Sequence, residues 1–230
     1  MQTKSFPVAT ICIIVLNGII FAIGLISGEQ TQIIRNYGFI PDQMFNAHII
    51  EKNSDQQNSL NSLLQHSEPQ SSSSSLSSIS DSLTRLFSSM FVHASIAHIA
   101  FNLVALAYLG VYAERAIGVP RYVLVYFTSG VVAALFHGVI ASYILHNGNV
   151  VLVGASGAIS GVLGIAAVTG NTRAYYWLAL QIVFAVIGSI SALPIAFTAH
   201  VGGFIAGVAM TKVLVRLEKS KRKSKFFPQP

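Results

Sequence analysis

Six long apolar runs dominate the pattern of hydrophobic and polar positions along the chain. They cover residues 6–26, 96–112, 122–145, 151–170, 174–193 and 194–215. A helix rises about 1.5 Å per residue, so that about 20 apolar residues cross a hydrocarbon core of roughly 30 Å. The pattern therefore predicts an all-α, polytopic membrane protein with six transmembrane helices.

Two of these boundaries allow an alternative. Only residues 189–194 separate the last two runs, so a single kinked helix is the alternative to two spans there. The first run resembles a cleaved signal peptide, but it is longer than a usual h-region and no clear small-x-small site precedes Gly28. We expect residues 1–27 to form the first transmembrane helix and residues 91–217 to form the other five.

Residues 28–90 form a long polar stretch between the first two runs. They include five consecutive serines at positions 71–75 and a charged, amide-rich segment at 53–57. Such a composition buries too little apolar surface to fold alone, which predicts a Ser-rich, largely flexible extracytoplasmic loop. Residues 33–45 and 83–91 hold enough apolar side chains to form short amphipathic segments on a membrane surface.

The composition agrees with a membrane protein. Of the 230 residues, 53% are hydrophobic and only 10% are charged, which excludes an ordinary soluble domain. The net charge of +6 would suggest a nucleic-acid partner for a soluble protein. Here the basic residues cluster at the ends of the predicted spans, so we expect them to set the topology and expect no nucleic-acid partner.

The basic residues of the short loops indicate one orientation. If the N-terminus is cytoplasmic, all of these residues lie on the cytoplasmic side, and only Arg35, Lys52 and Arg85 lie outside, in the long loop. We therefore expect a multi-pass protein of the cell membrane with both termini in the cytoplasm. Residues 218–230 would form a basic cytoplasmic tail that can contact anionic membrane lipids.

The candidate chemistry begins with Ser156, which lies near the outer start of the fourth run. One interpretation is packing alone, because Ser156, Ser160 and Gly164 form a stripe of small residues on one helix face. His200 heads a second small stripe with Gly203 and Gly207, in a span that runs in the same direction. Two such helices can bring the Ser156 hydroxyl and the His200 imidazole within hydrogen-bond reach, toward the extracytoplasmic side.

Other hydrolytic sites are excluded by what the spans lack. All eight carboxylates lie in loops or at span ends, so an intramembrane aspartyl dyad is ruled out. The absence of a His-Glu-x-x-His helix and of a mid-span lysine argues against a zinc hydrolase and a Ser-Lys dyad. His93 and His98 have no carboxylate or thiol nearby, so we expect no metal site and no cofactor.

Two side chains of the second run are candidate oxyanion donors. His98 and Asn102 are four residues apart and project from one helix face. Together with the backbone N–H of Ser156 they could surround a developing oxyanion. The alternative for Asn102 is a hydrogen bond between helices that only holds the bundle together.

The motifs resemble those of a known family. A His-x(4)-His-x(3)-Asn segment, a membrane Gly-x-Ser-Gly and a later Ala-His-x-x-Gly-x-x-x-Gly follow one another within residues 85–212. This combination resembles the rhomboid intramembrane serine proteases. The resemblance implies a six-helix rhomboid-like bundle with Ser156 as nucleophile, His200 as general base, and His98, Asn102 and the Ser156 amide as oxyanion donors.

The same resemblance implies supporting roles for other residues. His93 would be structural or water-binding, and Gly154 would leave room for the oxyanion. Gly203 and Gly207 would support the helix of the general base. The segment from Glu114 to Gly118 resembles the family's Glu-x-x-x-Gly element, which implies a role in holding a cytoplasmic loop. The substrates implied are transmembrane proteins.

The chain departs from the family pattern at two places. Ser160 occupies the position where the family often has a tyrosine stacked on the catalytic imidazole, and no Trp-Arg pair occurs in the first loop, since the only tryptophan is Trp177. Two other functions stay open: a catalytically silent rhomboid-like protein that binds transmembrane helices, and a small transporter with His137 on its pathway. We expect His137 to be a packed core residue, and the sequence indicates no oligomeric state.

Overall fold

The computed structural model describes residues 6–46, 75–172, 174–179, 182–183 and 197–226. Its α-helices are α1 (Val8–Ser27), α2 (Gln30–Tyr37), α3 (Pro41–Phe45), α4 (Ser75–Ser88), α5 (Ile96–Ala105), α6 (Val111–Ile117), α7 (Val119–Tyr143), α8 (Ser156–Val168) and α9 (Phe197–Phe226). A 3-10 turn, Ser89–Phe91, follows α4, and a π-helical turn, Leu106–Gly110, joins α5 to α6. Residues 174–179 and 182–183 are also helical.

Among the described residues, four helical stretches are long and apolar enough to cross a membrane. They are Val8–Ser27, Ile96–Ile117, Val119–Tyr143 and Phe197–Ser220. Helix α8 is apolar but has only 13 residues, which is shorter than a full crossing. Most of the fifth apolar run, and the turn predicted at 189–194, lie outside the described residues. The fold class is thus confirmed as an all-α, multi-pass membrane protein, while the count of six spans stays a prediction.

Helix α8 lies at the centre of the bundle, because each of its residues from Gly157 to Ala167 is buried. Its apolar side chains share the main hydrophobic core with α7, through contacts of Ala158 and Val162 with the cluster that holds Tyr122 and Tyr126. On another side, the backbones of α8 and α9 touch. A Cβ atom at Gly203 would overlap the carbonyl group of Gly157, so only glycine fits there.

The glycine contact repeats along the two helices. A Cβ atom at Gly207 would overlap the backbone of Gly161, and one at Gly164 would lie 2.8 Å from the carbonyl carbon of Gly207. The pairs Gly157–Gly203 and Gly161–Gly207 have the same offset in sequence, so α8 and α9 run in parallel. This confirms the prediction that the helices of Ser156 and His200 run in the same direction.

Of the stripe Ser156, Ser160 and Gly164, Gly164 meets the α9 backbone. Gly157 and Gly161 of α8 also contact α9, through their backbones. Ser160 instead donates its hydroxyl to the carbonyl oxygen of Ser156 at 2.9 Å, within its own helix.

The segments on either side of the Ser-rich stretch pack against the bundle. Phe39 and Leu86 are buried together with Ala134 of α7. Arg85 joins the two segments by donating one N–H group to the carbonyl oxygens of Arg35 at 2.7 Å and Gly38 at 3.3 Å. The amphipathic segments expected at 33–45 and 83–91 are therefore helical at least in part. Phe39 and Leu86 face protein, whereas Leu83 and Phe87 are 48% and 50% exposed. Residues 53–57 and 71–74 lie outside the described residues.

Glu114 caps the N-terminus of α1. Its carboxylate accepts hydrogen bonds from the backbone N–H groups of Ala9 at 3.2 Å and Thr10 at 2.8 Å, and from the Thr10 hydroxyl at 2.7 Å. The helix has no side-chain cap of its own, because Pro7 precedes it. The residue expected to hold a cytoplasmic loop thus holds the first helix onto α6.

Helix α9 continues without a break at residue 218, where the tail was expected to begin. It extends as far as Phe226, so the first part of the basic tail is helical. Arg121 at the start of α7 pairs with Glu218 at 2.9 Å and so fixes this end of α9 to the bundle.

Replacing Glu114 by alanine should destabilise the fold, because two buried N–H groups of α1 would lose their acceptor. We expect a loss of about 1–3 kcal/mol in the free energy of unfolding, seen as a lower thermal midpoint in detergent micelles. Glu218→Ala is the control, since its partly exposed ion pair should contribute only about 0–1 kcal/mol. Equal losses in the two variants would contradict the capping role.

Replacing Gly207 by alanine should also lower the unfolding midpoint. The added methyl group would overlap the backbone of Gly161, and overpacking of this kind costs about 1–3 kcal/mol. Gly18→Ala in α1 is the matched control, because no atom lies within 4 Å of a methyl group added there. If both variants were equally stable, α8 and α9 could not be in backbone contact.

Candidate active site

Ser156 is the first residue of α8 and follows a glycine with an unusual backbone. Gly154 has φ +114, a conformation that L side chains rarely adopt. Its N–H group donates to the carbonyl oxygen of Ser89 at 2.8 Å. Just before it, Leu152 and Phe39 exchange two backbone hydrogen bonds of 2.7 and 3.0 Å. The chain that delivers Ser156 is therefore fixed by backbone contacts with both segments that flank the Ser-rich stretch.

The parallel contact between α8 and α9 determines where His200 lies along the axis of α8. Gly203 lies against Gly157, and His200 is one helical turn before Gly203. His200 is thus level with the Gly154–Ser156 turn that precedes α8. The ring of Phe197 contacts the His200 ring edge-on, with a centroid distance of 5.9 Å.

His98 and Asn102 face Gly154 from α5. A Cβ atom at Gly154 would lie 2.6 Å from His98 Nε2 and 3.7 Å from Asn102 Nδ2, so both side chains approach the turn before Ser156. Asn102 is buried and donates one amide hydrogen to the carbonyl oxygen of His98 at 3.1 Å, within its own helix. That bond leaves the second hydrogen of the amide for another acceptor.

His93 is fully buried behind this group. Its Nε2 accepts the backbone N–H of Ala155 at 3.5 Å, and its carbonyl oxygen accepts an amide hydrogen of Gln30 at 2.6 Å. Its ring contacts that of His98 edge-on at a centroid distance of 5.0 Å. Burial, together with the neighbouring His98, lowers the pKa of His93 to about 4. The ring is therefore neutral at physiological pH and can accept the Ala155 hydrogen bond.

The structure thus brings His98 and Asn102 to Gly154, and His93 to Ala155, in the turn just before Ser156. Gly203 and Gly207 align α9 with α8. Position 160, where the family often has a tyrosine, is a serine here, and its hydroxyl donates to the backbone of its own helix. Among the described residues, no three His, Cys, Asp or Glu side chains are grouped so as to hold a metal ion.

Two contacts at this site were not predicted from the sequence. Gln30 supports the backbone of His93, and the ring nitrogen Nδ1 of His137 shares a hydrogen bond of 2.6 Å with the hydroxyl of Thr198. His137 was expected to be a packed core residue, and it is half-buried as well as hydrogen-bonded. Neither pair has a sequence signal, since the partners are 63 and 61 residues apart.

Comparisons with known proteins agree with the arrangement. A family model for the Rhomboid domain matches residues 80–217. RHOMBOID-like protein 4 of Arabidopsis thaliana is 32% identical over 139 residues, which are 57% of this chain and 34% of that protein. Rhomboid-type serine protease 2 of Emericella nidulans is 31% identical over 150 residues, 62% of this chain and 29% of the relative.

A third relative carries a different name. Inactive RHOMBOID-like protein 8 of Arabidopsis thaliana is 30% identical over 125 residues, 54% of this chain and 31% of that protein. The chain spans about a third of the length of these three relatives.

The family match includes every helix from α5 to the membrane-spanning part of α9, and with them the candidate residues His98, Ser156 and His200. It covers more than half of the chain. The all-helical membrane architecture agrees with it as well. The chain therefore belongs to the rhomboid family.

Proposed function

We propose that this chain is an intramembrane serine endopeptidase that hydrolyses peptide bonds in or near the transmembrane segments of membrane proteins. The observation that carries the proposal is the parallel glycine contact between α8 and α9, which brings the His200 turn level with the turn of Ser156. The approach of His98 and Asn102 to Gly154 supports it, because donors for an oxyanion are needed at that point.

In this proposal His200 takes the proton of the Ser156 hydroxyl while Oγ attacks the scissile carbonyl carbon. The negative charge that develops on the carbonyl oxygen is stabilised by the backbone N–H of Ser156 and by the side chains of His98 and Asn102. His200 then gives its proton to the leaving amine, and an acyl-enzyme remains. Water, activated by His200, releases the acyl group and restores Ser156.

Gly154 and His93 would serve the site without taking part in the reaction. Glycine at 154 leaves the space beside His98 Nε2 empty, where a methyl group would otherwise lie at 2.6 Å. His93 would hold the backbone at Ala155, immediately before the nucleophile, through its Nε2. Both features favour a fixed oxyanion pocket, which is more effective than one that must reorganise during the reaction.

The placement in the membrane is also part of the proposal. Ser156 begins α8, and α5 begins nearby at an exposed Ser95 whose hydroxyl oxygen accepts the N–H of His98 at 3.2 Å. A polar, exposed helix end beside the nucleophile favours access of water from that side. With both termini in the cytoplasm, that side is extracytoplasmic, and transmembrane proteins of the same membrane are the substrates.

A binding-only role is the second candidate, because one relative is named inactive. Such a protein would bind transmembrane helices without cleaving them. The presence of Ser156 and His200 in aligned helices favours the protease. A transporter is disfavoured by membership of the rhomboid family.

Replacing Ser156 or His200 by alanine should abolish cleavage of a model single-span substrate by the purified protein in liposomes. The same changes should abolish covalent labelling by a fluorophosphonate probe, because the nucleophile or its base is lost. Ser160→Ala is the matched control: its hydroxyl lies one turn further along α8 and bonds to backbone, so cleavage and labelling should persist.

Two outcomes would count against the protease. Equal cleavage by the wild type and Ser156→Ala would overturn the nucleophile. A folded wild type that neither cleaves a panel of single-span substrates nor reacts with the probe would favour the binding-only role.

Replacing Asn102 by alanine should lower kcat on the order of 100-fold while KM stays nearly constant, because the amide acts on the developing oxyanion. The unfolding midpoint should change little, since the amide's hydrogen bond to His98 lies within one helix. Steady-state cleavage and thermal unfolding of the same preparation measure both quantities. A variant with wild-type kcat would exclude Asn102 from the oxyanion pocket.

A further inference from the structure

His200 lies near the start of the described part of α9, one turn before the glycines that contact α8. After His200 in the sequence, the contacts of Gly203 and Gly207 with α8 fix the helix. The Ser160 hydroxyl donates to the Ser156 carbonyl oxygen within α8. Contacts of the turn that precedes Gly203 add to those of the glycines in setting the orientation of the imidazole.

One directional contact of this turn is with α7. The Nδ1 atom of His137 and the Thr198 hydroxyl oxygen are 2.6 Å apart, and both side chains are half-buried. Close by, a Cβ atom at Gly202 would lie 2.8 Å from Cβ of Phe136, so the backbones of α7 and α9 approach closely at this level. The hydrogen bond thus ties the turn that carries His200 to a long neighbouring helix.

This hydrogen bond is well suited to hold a geometry. In surroundings of low dielectric constant, a hydrogen bond is stronger than in water, and leaving a partner unpaired is costly. Thr198 is β-branched, which limits its χ1 angle in a helix to two main rotamers, so its hydroxyl moves with the backbone of this turn. Because Thr198 precedes His200 by two residues, a shift of this turn would displace the imidazole as well.

We infer that His137 is a positioning residue for His200, acting through its hydrogen bond to Thr198. The pair replaces, from the α7 side, the support that a ring at position 160 would give from α8. This inference rests on the proposed function, since it assigns His137 a role in the reaction of Ser156 and His200. It predicts that loss of the bond impairs the chemical step more than substrate binding or folding.

The test compares Thr198→Val, which removes the hydroxyl at nearly constant shape, with Thr198→Ser, which keeps it. Thr198→Val and His137→Leu should each lower kcat by about tenfold to 100-fold, the effect expected when a catalytic group is displaced by about 1 Å. KM should stay within about twofold if ground-state binding is unaffected. Thr198→Ser keeps the hydroxyl, so its kcat should stay close to that of the wild type.

Labelling by a fluorophosphonate probe measures the reactivity of Ser156 separately from the binding of a protein substrate. The rate constant for labelling of Ser156 by a fluorophosphonate should fall in parallel with kcat in Thr198→Val and His137→Leu. The double variant should be no slower than the slower single variant, because both changes remove the same bond.

Thr211→Val is the matched control on the same helix. The Thr211 hydroxyl is buried and has no hydrogen-bond partner in the part of the chain that the structure describes, so the same chemical change removes no bond there. This variant should keep the wild-type kcat and labelling rate.

The outcomes separate this inference from the proposed function. A wild type with cleavage that depends on Ser156, together with Thr198→Val and His137→Leu variants of unchanged kcat, would overturn the positioning role alone. The positioning role would also be overturned if Thr198→Val and Thr198→Ser lost kcat to the same extent and both had a lower unfolding midpoint than the wild type. A wild type without Ser156-dependent cleavage would overturn the proposed function, and the positioning role with it.

Discussion

The backbone contact between α8 and α9 is the constraint on which the rest of the structure depends. Cβ atoms at Gly203 and Gly207 of α9 would overlap the α8 backbone at Gly157 and Gly161, and one at Gly164 of α8 would overlap the α9 backbone. In a membrane there is little hydrophobic driving force between helices, and close packing of small residues takes its place. The same contact fixes the register of two parallel helices, so packing and the alignment of Ser156 with His200 have a common cause.

Much of this arrangement could be predicted from the sequence, because it follows from local spacing. The apolar runs indicated a membrane bundle, and Gly203 and Gly207, three and seven residues after His200, indicated a packing face. Which residues of α8 contact α9 could not be predicted in the same way. Its serines and glycines both recur every four residues, and only the contact itself shows that Gly157 and Gly161 meet α9.

Other features depend on partners far apart in the chain, and spacing gives no sign of them. The capping of α1 by Glu114 joins residues more than 100 positions apart, and the bonds of Arg85 to residues 35 and 38 cross the Ser-rich stretch. The helical part of the tail was missed for a different reason. Lysine and arginine are good helix formers, so a basic segment after a span is compatible with either a flexible tail or a continued helix.

The position of Ser156 at the start of α8 also has an electrostatic consequence. Aligned peptide dipoles give a helix the equivalent of roughly half a positive charge at its N-terminus. This end of α8 lies at the Gly154–Ser156 turn, beside His98 and Asn102. Because α8 is buried along nearly its whole length, water and salt screen its field only weakly. Negative charge placed beside the start of α8 would thus be stabilised by a charge that belongs to the backbone rather than to a side chain.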